Sequence, residues 1–474
     1  MLEQNNQYNI LNRKIDTEVI RAFFNGTLED DIDKIPYRIF PKHSAKVSKC
    51  CIFKERAMVR YRIMELLGIN IDKYDFEYLP IKSYLEFALH EGVDDFPLLT
   101  TVQLACYGCP PEQYRISDAC RGCAARPCTT NCPKDAIVFI GGRAHILEDK
   151  CVKCGRCFSV CPYHAILHLP VPCEEACPVG AVHKNEHGHA QVDHSKCISC
   201  GKCIHSCPFG AIAERSALLP ILKMLKNKEK TVAMIAPAIE GQFPGTLSQI
   251  KSALLKVGFT QVVEVAAGAE ETSINEAREL QEKKREGHGY MTTSCCPAYT
   301  QLVEKHLKFL KPIISTALSP MGYTARMCRE KFPDHKNIFI GPCLAKRVEG
   351  IRDQNVDGVM NFNELSSLFM ALDIEVGEME KSDLGEVGSF RDCRNFCFSE
   401  GVAGCVLNRV ENRDEMKIMP INGLDRKKIA IMRTWEKKAP DADLVEVMCC
   451  EGGCIQGPSS ITKTSLAMKY RGKD

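Results

Sequence analysis

The chain has 474 residues, of which 45% are hydrophobic and 26% are charged, and its formal net charge is +2. At roughly 150 residues per domain, this length predicts about three domains. The near-neutral charge excludes a general attraction to nucleic acid or to anionic membranes.

The first hundred residues contain only two of the 28 cysteines, Cys50 and Cys51, and no apolar core of the signal-peptide kind. No apolar run reaches the roughly 18–20 residues that a membrane-spanning helix needs, so we expect a cytoplasmic protein. In that reducing compartment many cysteines indicate metal or redox chemistry and not disulfides. Apolar residues at helical spacing over 55–69 and 81–93 predict that residues 1–100 form a small helical region.

Residues 101–215 contain 16 cysteines. Two runs, at 151–162 and 197–208, have the bacterial ferredoxin spacing C-x2-C-x2-C-x3-C-P, and a third, at 120–133, has a longer middle gap. Half-motifs lie at 106–109 and 173–178. This pattern predicts a ferredoxin-like α+β domain that binds 4Fe–4S clusters. Four-thiolate zinc sites are the alternative, but they favour paired C-x2-C knuckles.

In such motifs the cysteine before proline reaches across to a second cluster. That rule divides the 16 thiols into four sets, the last of which follows only by elimination. The sets are Cys120, Cys123, Cys128 and Cys161; Cys151, Cys154, Cys157 and Cys132; Cys197, Cys200, Cys203 and Cys177; and Cys106, Cys109, Cys173 and Cys207. Four clusters in a row would carry electrons.

Residues 216–474 have the pattern of an α/β domain. Short apolar strands at 231–237, 337–342 and 443–448 alternate with helical stretches such as 271–287. Cysteine motifs follow at 293–299, 341–349 and 446–458, and two of them come directly after strands, whose carboxyl ends are where ligands collect in open α/β sheets. Lys346, three residues after Cys343, needs an anionic partner if it is buried. These features predict a metal centre that receives electrons.

The three motifs in this order, "TSCCPAY", "GPCLAKRVE" and "EVMCCEGGCIQGP", resemble those of the monomeric FeFe (iron-only) hydrogenases, over roughly residues 101–465. The resemblance implies an FeFe-hydrogenase-like α/β catalytic domain at 216–474, behind the ferredoxin-like domain and the helical region. It also implies an H-cluster, in which a 4Fe–4S cubane is joined through a cysteine to a two-iron subsite carrying CO, cyanide and azadithiolate. Carried over, the cubane ligands are Cys296, Cys343, Cys450 and Cys454, the last bridging to the two-iron subsite.

The same resemblance implies roles around the two-iron subsite. Cys295 would exchange protons with the azadithiolate amine, and Lys346 would bind a cyanide ligand. Met448 would pack near the bridging CO, and Ala236 and Pro237 would line the pocket.

A proton path is implied through Glu276, Glu279 and Ser315. Spacing alone places Glu276 and Glu279 on one face of a helix. Without the resemblance, both would be read as surface acids.

Some positions depart from the family pattern and suggest a less studied branch. Gly341 stands where methionine is usual, and Met321 where a polar residue is expected. An extra thiol, Cys449, lies beside a ligand. Cys393 and Cys397 have the i, i+4 spacing of a helix and are an alternative metal pair.

We expect an enzyme, a hydrogen:ferredoxin oxidoreductase, that interconverts dihydrogen with protons and electrons. Its partners would be ferredoxin or a similar soluble carrier and the maturation factors that supply the two-iron subsite, with no nucleic acid or membrane. One alternative is a hydrogen sensor with slow turnover, which Gly341 and Met321 favour. Another is a hydrogenase-like iron–sulfur assembly protein, a class that lacks counterparts of Cys295 and Lys346.

Overall fold

The computed structural model describes residues 6–43, 50–69, 71, 79–90, 97–287, 289–383 and 392–470. Its first helices are α1 Gln7–Asn25, α2 Leu28–Asp31, α3 Ile35–Ile39, α4 Ile52–Leu66 and α5 Ile81–His90. Helix α1 begins where the Asn6 side chain accepts a hydrogen bond from the Asn9 N–H (2.9 Å) and ends at Gly26 in the left-handed conformation. Both caps satisfy backbone groups that a helix end leaves unpaired.

Two small units of the same plan follow. Their strands are β1 Leu99–Thr101, β2 Gln113–Ile116, β3 Ile137–Ile140, β4 Arg143–Ile146, β5 Ile166–Leu169, β6 Val182–Lys184, β7 Ala190–Val192 and β8 Ile212–Glu214. Their helices are α6 Pro127–Thr130, α7 Arg156–Val160, α8 Pro172–Ala176 and α9 Lys202–Ser206. In each unit the first strand pairs antiparallel with the last, and the two middle strands form a hairpin.

One unit is inserted into the other. Strands β2 and β5 pair, as do β3 and β4, within residues 113–169, which we call the inner unit. Strand β1 pairs with β8, and β6 with β7, so that residues 99–109 and 172–214 form the outer unit around this insertion. The half-motifs at 106–109 and 173–178 are therefore the two halves of one ferredoxin motif.

The rest of the chain builds two parallel sheets. Their strands are β9 Thr231–Ile235, β10 Gln261–Glu264, β11 Met291–Thr292, β12 Lys336–Gly341, β13 Gly358–Asn361, β14 Ile418–Asn422 and β15 Leu444–Met448. One sheet has the order β10-β9-β12-β13 and the other β11-β15-β14. Every residue of β9 is buried, as expected for a parallel strand covered on both faces.

Helices surround these sheets. They are α10 Leu218–Lys226, α11 Leu247–Val257, α12 Ala266–Arg285, α13 Pro297–His306, α14 Pro320–Lys331, α15 Ala345–Arg352, α16 Phe362–Ala371, α17 Gly401–Leu407, α18 Arg426–Thr434 and α19 Thr464–Tyr470. Helix α1 packs on α16, and Ile15 and Ile20 share one hydrophobic core with Ile235 and Ile340 of the first sheet. The N-terminal helices are thus part of the main core.

The elements predicted from periodicity are confirmed: the helices over 55–69 and 271–287 are α4 and α12, and the three strands are β9, β12 and β15. Helix α5 ends at His90, and residues 91–93 of that predicted helix lie outside the described residues. The prediction that Cys393 and Cys397 lie one turn apart on an α-helix is wrong, because residues 392–397 form a 3-10 helix. At three residues per turn, positions i and i+4 do not share a face. Within the described residues, no helix has the length and apolar character that a membrane crossing requires.

Candidate metal centre

Strands of both parallel sheets end at one cavity. Ala236 and Pro237 follow β9, Cys295 and Cys296 follow β11, Cys343 follows β12, and Met448 ends β15. The empty space of this cavity, including the part that is open to solvent, is about 910 Å³. The predicted residues that line it are Ala236, Pro237, Cys295, Cys296, Cys343, Lys346, Met448, Cys450 and Cys454. The fold therefore brings three distant cysteine motifs together at the carboxyl ends of strands.

The four thiols predicted to hold the cubane are close enough to affect one another. Burial and then the neighbouring Cys296 raise the pKa of Cys343 to about 12. Burial, followed by the other thiols of the set, raises the pKa of Cys450 and Cys454 well above the ordinary value. Such thiols stay protonated without a cation, whereas metal binding deprotonates them. This donor set fits an iron–sulfur cluster.

Within the described residues, no three His, Cys, Asp or Glu side chains converge closely enough to hold a single metal ion. A cubane is held at its corners, so its ligands need not converge on one point. Gly453, with φ +95°, precedes Cys454, and a Cβ there would lie 2.5 Å from the Cys397 carbonyl oxygen. Only glycine fits this approach to the last ligand.

The adjacent thiols Cys295 and Cys296 face different surroundings. Cys295 packs with the core around α12, whereas Cys296 packs with the core around α13 and β15. Burial and then the nearby Glu276 carboxyl raise the pKa of Cys295 well above the usual range. Neighbouring side chains on an extended chain point apart, and here they separate an acid-facing thiol from a thiol of the predicted ligand set.

Lys346 has an anionic partner that the sequence analysis missed. Its Nζ donates to Glu349 Oε2 at 2.7 Å and to Ser319 Oγ at 2.7 Å. Burial opposes its charge, but Glu349 and the thiols of Cys343 and Cys295 raise its pKa overall. The third N–H has no hydrogen-bond partner among the described residues, and the lysine lines the cavity. The i, i+3 spacing on α15 was the available signal for Glu349.

The Glu276 carboxyl is fully buried on α12. Its Oε1 accepts hydrogen bonds from the Ser294 N–H (2.9 Å) and hydroxyl (3.4 Å), and burial raises its pKa to about 7. Its Oε2 is buried with no partner in the part of the chain that the structure describes. One carboxyl oxygen is therefore available to exchange a proton.

Further along α12, Glu279 accepts a hydrogen bond from Ser315 Oγ at 2.7 Å and pairs with Lys283 Nζ at 3.0 Å. The predicted path thus has an inner half at Cys295 and Glu276 and an outer half at Glu279 and Ser315. No direct hydrogen bond joins the halves among the described residues. Lys283 was missed, although its i+4 spacing from Glu279 was visible in the sequence.

The departure at Gly341 has a structural counterpart in Phe339. Both residues lie on the same face of β12, two positions apart. A Cβ at 341 would lie 2.6 Å from Phe339 Cε1, and Phe339 lines the cavity. Met321, the other departure, also lines the cavity and is fully buried. An aromatic ring thus occupies the space beside Gly341.

The cysteines of the two small units are also grouped. Those of the second set, Cys132, Cys151, Cys154 and Cys157, line one cavity. Burial and then Cys207, with Cys109 also contributing, raise the pKa of Cys173 to about 12. For Cys203, burial followed by Cys200, Cys197 and Cys177 raises the pKa well above normal. Cys120, Cys128 and Cys161 belong to one core cluster, and Cys123 lies half-buried in the same unit.

One hydrogen bond recurs four times. In each Cys-Pro-x-x-Ala segment the alanine N–H donates to the cysteine sulfur, over 3.1–3.4 Å: Ala136 to Cys132, Ala165 to Cys161, Ala181 to Cys177 and Ala211 to Cys207. Backbone N–H groups directed at sulfur suit cluster-bound thiolates and tune their potentials.

Cys449 lies between two predicted centres. Its thiol hydrogen-bonds to Cys200, a member of the third accessory set, and this bond lowers the pKa of Cys200 to about 7. Its chain neighbour is Cys450, and all three thiols line the same cavity. The extra thiol thus bridges the ferredoxin-like units and the cavity.

Residues 229–458 match the family model described as "Iron only hydrogenase large subunit, C-terminal domain". Residues 229–458 therefore form an FeFe-hydrogenase-like domain. Residues 120–170 and 167–218 each match an iron–sulfur cluster-binding domain named for LdpA. The predicted fold class, an FeFe-hydrogenase-like α/β domain behind an iron–sulfur-binding region, is confirmed.

The relatives carry two kinds of name. The chain is 26% identical to "Iron hydrogenase 1" of Clostridium pasteurianum over 391 residues, covering 69% of this chain and 66% of that protein. It is 30% identical to "Cytosolic Fe-S cluster assembly factor NAR1" of Candida dubliniensis over 110 residues, covering 22% and 19%. An FeFe-hydrogenase structure from Chlamydomonas reinhardtii aligns at a TM-score of 0.41 with 20% identity, covering 51% and 83%. The chain thus spans about two thirds of the first relative and a fifth of the second.

Proposed function

We propose that this protein is an FeFe hydrogenase that interconverts dihydrogen with protons and electrons. The observation that carries the proposal is the cavity that four cluster-type thiols share with Cys295 and Lys346. A thiol facing a buried carboxyl and a lysine with an unused N–H are not needed to hold a cubane. They suit a site that also moves protons and binds an anionic ligand.

The H-cluster, when bound, supplies the redox chemistry and the base that split or form dihydrogen. Cys296, Cys343, Cys450 and Cys454 would hold its cubane, with Cys454 as the bridging ligand. The remaining N–H of Lys346 is available for a cyanide ligand. Met448, Ala236 and Pro237 line the cavity.

Protons would move between the cavity and solvent along α12. The Cys295 thiol exchanges a proton with Glu276, whose pKa of about 7 makes both protonation states accessible at neutral pH. Ser315, Glu279 and Lys283 form the outer part of the path. Electrons would pass through the four accessory 4Fe–4S clusters, held by the four cysteine sets, to ferredoxin or a similar carrier.

Hydrogen evolution from reduced viologen tests the proposal. The full chain is reconstituted with iron–sulfur clusters and loaded with the two-iron subsite. We expect evolution that falls by about 10² to 10⁴-fold in Cys295→Ala, as for the loss of a general acid or base. Cys328→Ala is the matched control, because Cys328 is buried outside the cavity. Full activity in Cys295→Ala would contradict the proton role.

The assembly-factor relative favours a second candidate, a cluster-carrying protein without the two-iron subsite. The same reconstitution separates the two. Intact cubanes combined with failure to take up the two-iron subsite would support the assembly role. Full loading with only trace evolution would support a hydrogen sensor, for which the changed surroundings at Gly341 and Met321 provide a reason.

A further inference from the structure

The second accessory cysteine set lies at the surface. Of the 16 accessory cysteines, all of which the structure describes, Cys154 alone is exposed. It lines the inner-unit cavity together with Cys132, Cys151 and Cys157. A cluster held there would have one ligand open to solvent, whereas the other three sets are half-buried or buried. Electron transfer between proteins requires close approach of their redox centres. The second set is therefore the end of the cluster chain that a partner protein can reach.

Two large apolar side chains border Cys154. Val152 is 55% exposed and Phe158 is 47% exposed. Phe158 is held by ring contacts, with its centroid 6.2 Å from Tyr114 and 6.5 Å from His168. The Phe158 ring is thus held in place although it is exposed, and aromatic residues are enriched at the centres of protein interfaces.

Basic side chains lie near this apolar pair, and two of them, Lys134 and Lys153, line the same cavity as Val152 and Cys154. Lys134, Lys153 and Arg156 are exposed, and none of them makes an ion pair among the described residues. Residues 113–169 contain eight Lys or Arg and four Asp or Glu, a net charge of +4 within a chain of net charge +2. Unpaired charges of one sign around an apolar centre steer a partner of the opposite sign.

We propose that Lys134, Val152, Lys153, Cys154, Arg156 and Phe158 form the docking face for an acidic protein that carries its own iron–sulfur cluster. We call these residues the Cys154 face. The inference rests on the electron-carrying part of the proposed function and does not require hydrogen chemistry. A partner protein fits better than a membrane surface because the face includes an exposed cluster ligand, which a redox partner can approach closely and a membrane has no use for.

A competing exit lies on the outer unit. Tyr107 is 73% exposed and stacks on Phe209 at 4.8 Å, beside the fourth set. Its cysteines Cys106 and Cys109 are only partly exposed, however. The Cys154 face combines an exposed ligand, apolar side chains and three exposed cations. The Tyr107 surface has the aromatic pair, and Lys184 acts on Cys109, but it has no exposed ligand.

Stopped-flow reduction tests the Cys154 face on the full chain with its accessory clusters and without the two-iron subsite. The probe is a reduced, acidic bacterial 2[4Fe–4S] ferredoxin, and the readout is reduction of the accessory clusters. We expect Lys134→Glu/Lys153→Glu/Arg156→Glu to lower the second-order rate constant at low salt by about tenfold or more. Its salt dependence should weaken as well. Lys427→Glu/Lys437→Glu/Lys438→Glu, all exposed on the catalytic domain, makes the same change in charge and should leave the rate unchanged.

Cluster integrity is checked by iron content and by reduction with dithionite, which needs no docking. If the triple variant loses its clusters, Val152→Asp at an exposed position is the second variant, with the same expectation. Equal rates for the triple variant and its control would overturn the proposal, as would a rate loss only in Tyr107→Ala. Binding to phosphatidylglycerol vesicles that the triple variant abolishes, with ferredoxin reduction intact, would assign the face to a membrane instead. Because no hydrogen is measured, a failed hydrogenase assay leaves this test valid.

Discussion

Glu276 is a carboxyl whose protonation changes in the physiological range. Burial raises its pKa from 4.5 to about 7, so the neutral acid predominates below pH 7 and the carboxylate above it. We expect the infrared band of a protonated carboxyl to disappear as the pH rises through 7, and to be absent in Glu276→Gln. Between pH 4.5 and 7 the folded protein binds more protons at this group than the unfolded chain does. The stability that the protonated group contributes is therefore lost as the pH rises through this range. A band unchanged by the substitution would contradict the assignment.

Cys449 is placed to adjust the potential of the accessory cluster that we propose Cys200 helps to hold. Its thiol hydrogen-bonds to Cys200, and donors to ligand sulfur favour the reduced cluster. A hydrogen bond of about 1 kcal/mol corresponds to on the order of 40 mV for one electron. We therefore expect Cys449→Ala to lower the midpoint potential of that cluster in a titration followed by electron paramagnetic resonance. Cys328→Ala should not change it.

Gly341 is fixed by packing and not by backbone conformation. A methyl group at this position would meet the ring of Phe339. Overpacking of this kind costs about 1–3 kcal/mol, so Gly341→Ala should lower the thermal unfolding midpoint of the apoprotein. Gly404→Ala in α17 is the matched control, since a Cβ there meets nothing within 4 Å. An unchanged midpoint in Gly341→Ala would mean that Phe339 moves aside at little cost.

At the scale of elements, α12 presents Glu276, Glu279 and Lys283 on one face. Glu279→Gln keeps the hydrogen-bonding shape but cannot carry a proton as a carboxyl does. We expect it to slow hydrogen evolution by about 10²-fold. Glu282→Gln, on the exposed part of the same helix, should evolve hydrogen at the original rate. If both variants slow equally, the effect belongs to the helix and not to the path.

Local spacing predicted what lies within one turn or one strand. The apolar run at 231–237 predicted β9. The i, i+3 spacing placed the two acids of α12 on one helix face, but only the family resemblance marked them as site residues. Residues 392–397 were harder, because 3-10 and α-helices share composition and differ in hydrogen bonding. The Phe339 ring beside Gly341 depends on packing across β12, which no spacing rule reports.

The insertion of the inner unit into the outer unit could not be predicted from local spacing either. It depends on pairing between β1 and β8, more than 110 residues apart. The fourth cysteine set is interrupted in the sequence by the inner unit, so it followed only by elimination. In the structure, the two parts of its motif lie in one unit. An available signal was that "CYGC" and "CEEACP" together restore one ferredoxin motif.

For the whole molecule, the nesting predicts that the inner unit can be removed. Joining Pro111 directly to Cys173 restores C-x2-C-x2-C-x3-C-P without interruption. Because β1 still pairs with β8, we expect the shortened chain to fold and to lose about eight irons, the content of two 4Fe–4S clusters. Iron analysis and circular dichroism measure this. Loss of all accessory iron would show that the outer unit needs the inner one.

The two chain segments that connect the inner unit leave the outer unit at Cys109 and Cys173, which belong to the same predicted set. A cluster held by both cysteines would cross-link the two ends of the inserted segment. Oxidation of that one cluster would then have two effects at once. It would interrupt the route for electrons and would release the whole inner unit from its support. Damage by oxygen at this cluster would therefore affect both the fold of the ferredoxin-like region and its electron transfer.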